Sequence, residues 1–215
     1  MKLKFKQQKF QADAANAVCD VFSGQPYYTP TYLIDKGVGK TVEQINWETY
    51  NFTGFRNAKT VPELTDEKIL DNINRIQRKY QIELSEKLEP FIVKRKNLDT
   101  EKEEKIKIPI NLTVEMETGV GKTYTYIKTM FEMNKRYGWS KFIVVVPSVA
   151  IREGVYKTFQ ITKEHFAEEY GKKIRYFIYN SARLTDLDRF ASNSNINVMI
   201  INSQAFNARG KDARR

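Results

Sequence analysis

Apolar positions along the chain fall into three regimes. In the opening stretch KFQADAANAVCDVF, Ala14, Ala17, Val18 and Val21 recur at helical spacing, which predicts a short amphipathic helix following Phe10-Gln11. From Gly24 the period dissolves: GQPYYTPTY is a Pro- and Tyr-rich loop, and WETYNFTGFRN is aromatic without a clear repeat. Periodicity returns at Ile69, Ile73, Ile76, Tyr80, Leu84 and Leu88, which predicts one long helix. Thr65 is its expected N-cap, with Asp66 and Glu67 in the first turn, where the helix dipole favours acids. The run KRKNLDTEKEEKIK then reads as a solvated, mixed-charge linker.

The third regime alternates apolar strands with helices. INLTVEM, KFIVVV, IRYFIY and INVMII read as strands, the first over Ile110–Glu115. YTYIKTMFEMNKRYG reads as a helix stopped by Gly138; VAIREGVYKTF, KEHFAEEYG and LTDLDRFA are further helices. Strands this apolar, separated by helices, predict a parallel sheet covered on both faces. The expected organisation is an N-terminal helix over 1–23, a largely helical accessory insertion over 24–105, and an incomplete α/β domain over 106–215.

Composition narrows the partners. The 215 residues include 36 Lys+Arg against 26 Asp+Glu, a formal charge of +10 that favours an anionic partner, nucleic acid before others. The single cysteine, Cys19, excludes an internal disulfide framework and fits a reducing cytoplasm; its expected role is helix packing. The Lys-rich start carries no apolar run, so no signal peptide is expected, and no segment approaches the ~20 apolar residues of a membrane span. The triplets Asn51-Phe52-Thr53 and Asn111-Leu112-Thr113 are then chance glycosylation matches. His165 sits in KEHFAEEY, a helix that reads as exposed, where metal or acid–base work is not expected.

The pentapeptide GVGKT occurs twice, at Gly37–Thr41 and Gly119–Thr123. A phosphate-binding loop needs a strand to deliver it, a tight turn whose N–H groups face the phosphates, and a helix starting at its Lys-Thr. Only the second copy has this context, between INLTVEM and KTYTYIKTMFEM, where Ile127, Met130 and Phe131 share one face; FIVVV then completes a βαβ unit. The first copy reads as a Gly-rich surface turn. Met116 stands where the usual G-x-x-x-x-G-K-[ST] has its first Gly, but the turn is made by Gly119 and Gly121, so phosphate binding is retained. The binding set is Thr118, Gly119, Val120, Gly121, Lys122 and Thr123. Lys122 bridges the β- and γ-phosphates and the Thr123 hydroxyl ligates Mg²⁺, which makes these two the catalytic candidates.

METGVGKTYTYIKTMFEMNKRYG followed by FIVVVPSVAIREGVYKTF resembles the first motor domain of superfamily 2 helicases, and more closely the Res subunit of type III restriction-modification enzymes. KFQADAANAVCDVFSGQ and VMIINSQAFN fit the same family. The resemblance implies a RecA-like P-loop NTPase domain using ATP and Mg²⁺, double-stranded DNA as substrate, and a methyltransferase (Mod) subunit as partner. It implies that Gln11 reads adenine with its amide, with Phe10 or Phe5 as an apolar wall; an ordinary exposed polar residue at the helix start is the other reading of Gln11. Pro147, Ser148 and Arg152 would hold a DNA strand by its phosphates, as would Asn202 and Ser203. Ser148 is also a sound N-cap, and Asn202-Ser203 also fits a turn and helix cap.

One departure from the family matters. Hydrolysis needs an acidic pair closing an apolar strand, one Asp helping to hold Mg²⁺ and a Glu positioning water. No Asp-Glu follows an apolar strand after Lys122; Asp35 ends YLID before the loop, and Asp66-Glu67 opens a helix. The chain also shows no second motor domain or nuclease domain. The expectation is an N-terminal fragment of a longer ATP-dependent deoxyribonuclease, inactive alone. The alternatives are a piece of another superfamily 2 motor (type I restriction or repair) and a DNA-binding module with a vestigial loop. A nucleotide kinase is weaker, since no lid or acceptor pocket follows the loop.

Overall fold

A computed structural model describes residues 5–33, 54–96, 103–108, 110–180 and 182–207. The first GVGKT copy and the basic tail NARGKDARR from Ala208 on lie outside these residues, as does Asp35.

Helix α1 spans Lys9–Asp20. The two-residue strands β1 (Tyr32–Leu33) and β2 (Gly54–Phe55) pair antiparallel. Helix α2 spans Asp66–Lys79 and begins as expected, with the Thr65 side chain accepting from the Lys68 N–H. It ends nine residues short of Leu88. The Tyr80 and Ile82 N–H groups turn back to the last-turn carbonyls around Gln81, whose φ of 56° is left-handed. Leu84 and Leu88 therefore continue the spacing without the helix; Leu88 still packs beside Val21, Leu64 and Ile69.

Where the mixed-charge run was expected to be a linker, its described residues belong to two paired strands. β3 (Phe91–Lys96) and β4 (Glu103–Ile108) pair antiparallel, in a register that sets Arg95 opposite Glu104 and Lys96 opposite Glu103.

The main sheet is built from β5 (Lys141–Val146), β6 (Ile174–Ile178) and β7 (Ile196–Asn202), all parallel, in the order β5-β7-β6. Helix α3 (Lys122–Tyr137) precedes β5, α4 (Val149–Tyr170) joins β5 to β6, α5 (Leu184–Ser192) joins β6 to β7, and α6 (Ser203–Asn207) follows. VAIREGVYKTF and KEHFAEEYG are thus parts of one 22-residue helix. Because successive strand residues face opposite sides, Tyr176 meets Tyr156 and Phe159 of α4 while Phe177 meets Phe190 of α5. The sheet is covered on both faces at β6, and central β7 carries fully buried Val198 and Ile200. The core joins Ile127, Met130 and Phe131 of α3 and Val155, Phe159 and Phe166 of α4 to these strands.

The strand expected over Ile110–Glu115 does not form: among the described residues this segment pairs with no strand. Its Ile110 and Leu112 pack instead against the cluster of α1 and α2 around Val21 and Ile69, and Val114 is exposed. Alternation reports an extended chain with two faces, but it does not name the neighbour that a strand's backbone groups need. Of the expected sheet, the other three strands are present and parallel.

The buried face of α1 is Gln11, Ala15 and Cys19, one residue around from the predicted stripe. Cys19 meets Met133 and Tyr137 of α3, and burial pushes its thiol up to about 12, which fits its expected packing role. Polar contacts also join the helices: Arg136 donates to Asp20 and Asn16 at 2.6 Å, while Lys128 donates to Glu169 and to the Tyr170 hydroxyl. Among the described residues no helix is long and apolar enough to cross a membrane.

Lys141, at the start of β5, lies over the rings of Phe55 and Phe190 and donates to the Asn193 carbonyl. Burial pushes its ammonium down from 10.5 to about 8. A depressed value means that the unfolded chain binds more protons between those two points, so this residue makes stability rise with pH through that window. Lys141→Met should flatten the rise, as read from urea midpoints at about pH 7.5 and about pH 9.5.

Candidate nucleotide-binding site

The second GVGKT copy is a tight turn running into α3. Gly119 and Gly121 both have left-handed backbones, with φ of 83° and 87°, and Gly121 is the N-cap of α3. At Gly121 a second constraint applies: a Cβ there would lie 2.6 Å from the Gln11 amide nitrogen. Gln11 donates that amide to the Val120 carbonyl at 2.8 Å and is buried, so its reading as an ordinary exposed residue does not hold. Lys122 reaches back across the turn and donates to the Glu117 carbonyl at 2.8 Å. With no side chain on Gly119 and open space where one would be, the turn presents backbone to the cavity beside it.

That cavity, about 720 Å³, is lined by Gly119, Gly121, Lys122 and Thr123 from the loop and by Phe5 and Gln11 from the N-terminal region. The helix start adds the positive end of the α3 dipole. Tyr124 of α3, Thr158, Ile161 and Thr162 of α4, and Lys6 and Gln8 beside Phe5 complete the wall. Of the two apolar wall candidates, Phe5 lines the cavity; Phe10 is exposed and lines a separate groove between α1 and α2. Thr118 and Val120 belong to the turn but not to the cavity lining.

Sequence reading missed the α4 wall and misplaced His165. The His165 side chain is 17% exposed, lies 2.8 Å from the Tyr124 hydroxyl and stacks near Phe5. The available signal was spacing: Thr158, Ile161, Thr162 and His165 fall at i, i+3, i+4 and i+7, one helical face carrying polar residues where a core face would not.

The five strand-contact candidates gather at the carboxyl ends of β5 and β7, where Val146 and Asn202 stand in register. Pro147 follows β5, and the Ser203 hydroxyl donates to its carbonyl at 3.5 Å. Ser148 caps α4, its side chain accepting from the Ile151 N–H. Arg152 pairs with Glu153 at 2.9 Å, and Asn202 is buried.

The connectivity, a glycine turn opening a helix that feeds a parallel sheet of order β5-β7-β6, defines the class: a RecA-like α/β nucleotide-binding fold, here partial. The family follows from sequence comparison. The family described as "Type III restriction enzyme, res subunit" matches residues 74–214, and the chain belongs to it. It is 36% identical over 115 residues to the type III restriction-modification enzyme EcoP15I Res subunit of Escherichia coli, covering 46% of this chain and 12% of that protein. It is 42% identical over 74 residues to the EcoPI Res subunit of Escherichia phage P1, covering 34% of this chain and 8% of that protein. Identity to the StyLTI Res subunit of Salmonella typhimurium is 45% over 62 residues, 28% of this chain and 6% of that protein. The chain thus spans a small part of the length of the relatives it matches.

Proposed function

We propose that the chain is the ATP- and Mg²⁺-binding part of the DNA-translocating motor of a type III restriction enzyme. The observation that carries this reading is the convergence of the Gly119–Thr123 turn, buried Gln11 and Phe5 on one cavity. The residues fit a nucleotide. Backbone N–H groups of Gly119 to Thr123 and the Lys122 ammonium hold the phosphates, the Thr123 hydroxyl holds Mg²⁺, and Gln11 and Phe5 stand where a base would lie. Bound Mg²⁺ would neutralise charge on the phosphate oxygens. Pro147, Ser148, Arg152, Asn202 and Ser203 are the proposed contacts to a phosphate backbone. The partners of the whole enzyme are duplex DNA and a methyltransferase (Mod) subunit, in the cytoplasm.

No water-positioning Glu closes an apolar strand after Lys122. The chain alone should therefore bind ATP and release phosphate no faster than background, with or without duplex DNA. DNA affinity should fall steeply with salt, because it rests on phosphate contacts. A phosphate-release assay checks this: DNA-stimulated turnover that vanishes in Lys122→Ala would mean that a catalytic carboxylate is present, and a chain that binds no ATP would remove the reading.

A further inference from the structure

Phe5 reaches the cavity from a stretch ahead of α1 that is neither helix nor strand, and it sits against the rings beneath it. Those rings are Tyr124, with centroids 6.1 Å apart, and His165, at 5.0 Å. They are tied to each other: the His165 Nε2 lies 2.8 Å from the Tyr124 hydroxyl. Burial raises the Tyr124 phenol to about 12, so its proton stays available for this bond at neutral pH. Glu169 lies 3.5 Å from that same Nε2, beside the Tyr124 hydroxyl, and its other oxygen accepts from buried Lys128. Phe166 packs against both Tyr124 and His165. The histidine thus stands one residue behind the wall, on α4, at a bond that joins the cavity-lining ring of Tyr124 on α3 to α4.

We propose that His165 is a positioning residue of the nucleotide site: it fixes Tyr124 and supports Phe5, and so sets affinity for the nucleoside end of the ligand without affecting the triphosphate end. This rests on the nucleotide reading of the Gly119–Thr123 loop. The loop's own contacts, Gln11 to Val120 and Lys122 to Glu117, do not involve His165, which is why the two ends of the ligand should respond differently.

The test is calorimetric titration of the 215-residue chain with Mg-ATP and, separately, with Mg-tripolyphosphate, which has the phosphates and no base. His165→Ala should weaken ATP about tenfold, the worth of one lost buried hydrogen bond, and leave tripolyphosphate within about twofold. Tyr124→Phe, which removes only the hydroxyl, should reproduce that split, and the double variant should be no worse than either single one. His165→Gln, which keeps a hydrogen-bonding group facing Tyr124, should recover most of the ATP affinity. Equal weakening of both ligands would show a structural role for His165 and overturn the proposal, as would unchanged ATP affinity in His165→Ala. A wild type that binds tripolyphosphate as tightly as ATP would also overturn it while sparing the phosphate loop. A wild type that binds neither would take the nucleotide reading down as well.

Discussion

Lys122→Ala should abolish measurable ATP binding, while Lys40→Ala should leave it at the wild-type level. Each charge-assisted hydrogen bond from an ammonium to a phosphate is worth roughly 1.5–3 kcal/mol, and Lys122 can offer more than one, so a loss of about a hundredfold or more is expected. The side chain is exposed and its bond in this structure goes to the Glu117 carbonyl at the surface of the turn. The variant should therefore melt with the wild type, which separates lost binding from lost folding. Lys40 has the same five letters around it but no helix or strand context in the sequence. Calorimetry on both variants decides the matter: binding lost with Lys40 and kept with Lys122 would mean that the first copy is the site.

Phe131→Ala should strongly destabilise the α/β part. Phe131 is 1% exposed and stacks on Phe166 and Tyr170 of α4, with centroids 5.2 and 4.9 Å away. Truncating such a residue costs about 3–5 kcal/mol, against a total stability of about 5–15 kcal/mol for an ordinary domain. Phe10→Ala, at a ring 47% exposed, should stay within roughly 0.5 kcal/mol of wild type. Urea denaturation followed by far-UV dichroism compares the two, and similar midpoints would contradict the core described above.

What could be read from sequence, and what could not, follows from which signals are local. The α3 start and stop were legible because Gly121 and Gly138 mark them with backbones that favour glycine. Three strands were legible because their sequences are mostly apolar, although only central β7 is buried along nearly its whole length. The end of α2 was not legible: Gln81 turns the chain back toward the cluster that the helix already faces, so Leu84 and Leu88 keep the helical period after the helix has gone. The pairing of β3 with β4 was hidden because Lys94-Arg95-Lys96 and Glu103-Glu104-Lys105 are unbroken charged triplets in the sequence, with no apolar alternation to mark a strand. In α4 the residues Gln160-Ile161-Thr162 fell between two segments read as separate helices; Ile161 and Thr162 line the cavity. The turn, Gln11 and the wall candidate Phe5 could be named in advance. Tyr124, Thr158 and His165 could not, since only tertiary packing brings α4 against the start of α3.

α4 is one unbroken rod of 22 residues, about 33 Å long at the α-helical rise. Its first turn carries Ser148 and Arg152, the proposed grip on a phosphate backbone, and its last two turns carry His165 and Glu169, behind the nucleotide wall. A rigid rod cannot answer at one end alone: a tilt of about 5° about either end carries the other through about 3 Å. The two ligands would then share a single coordinate, the inclination of α4. Thermodynamics makes such sharing symmetric, so whatever factor the nucleotide imposes on the grip of DNA, the DNA must impose on the grip of the nucleotide.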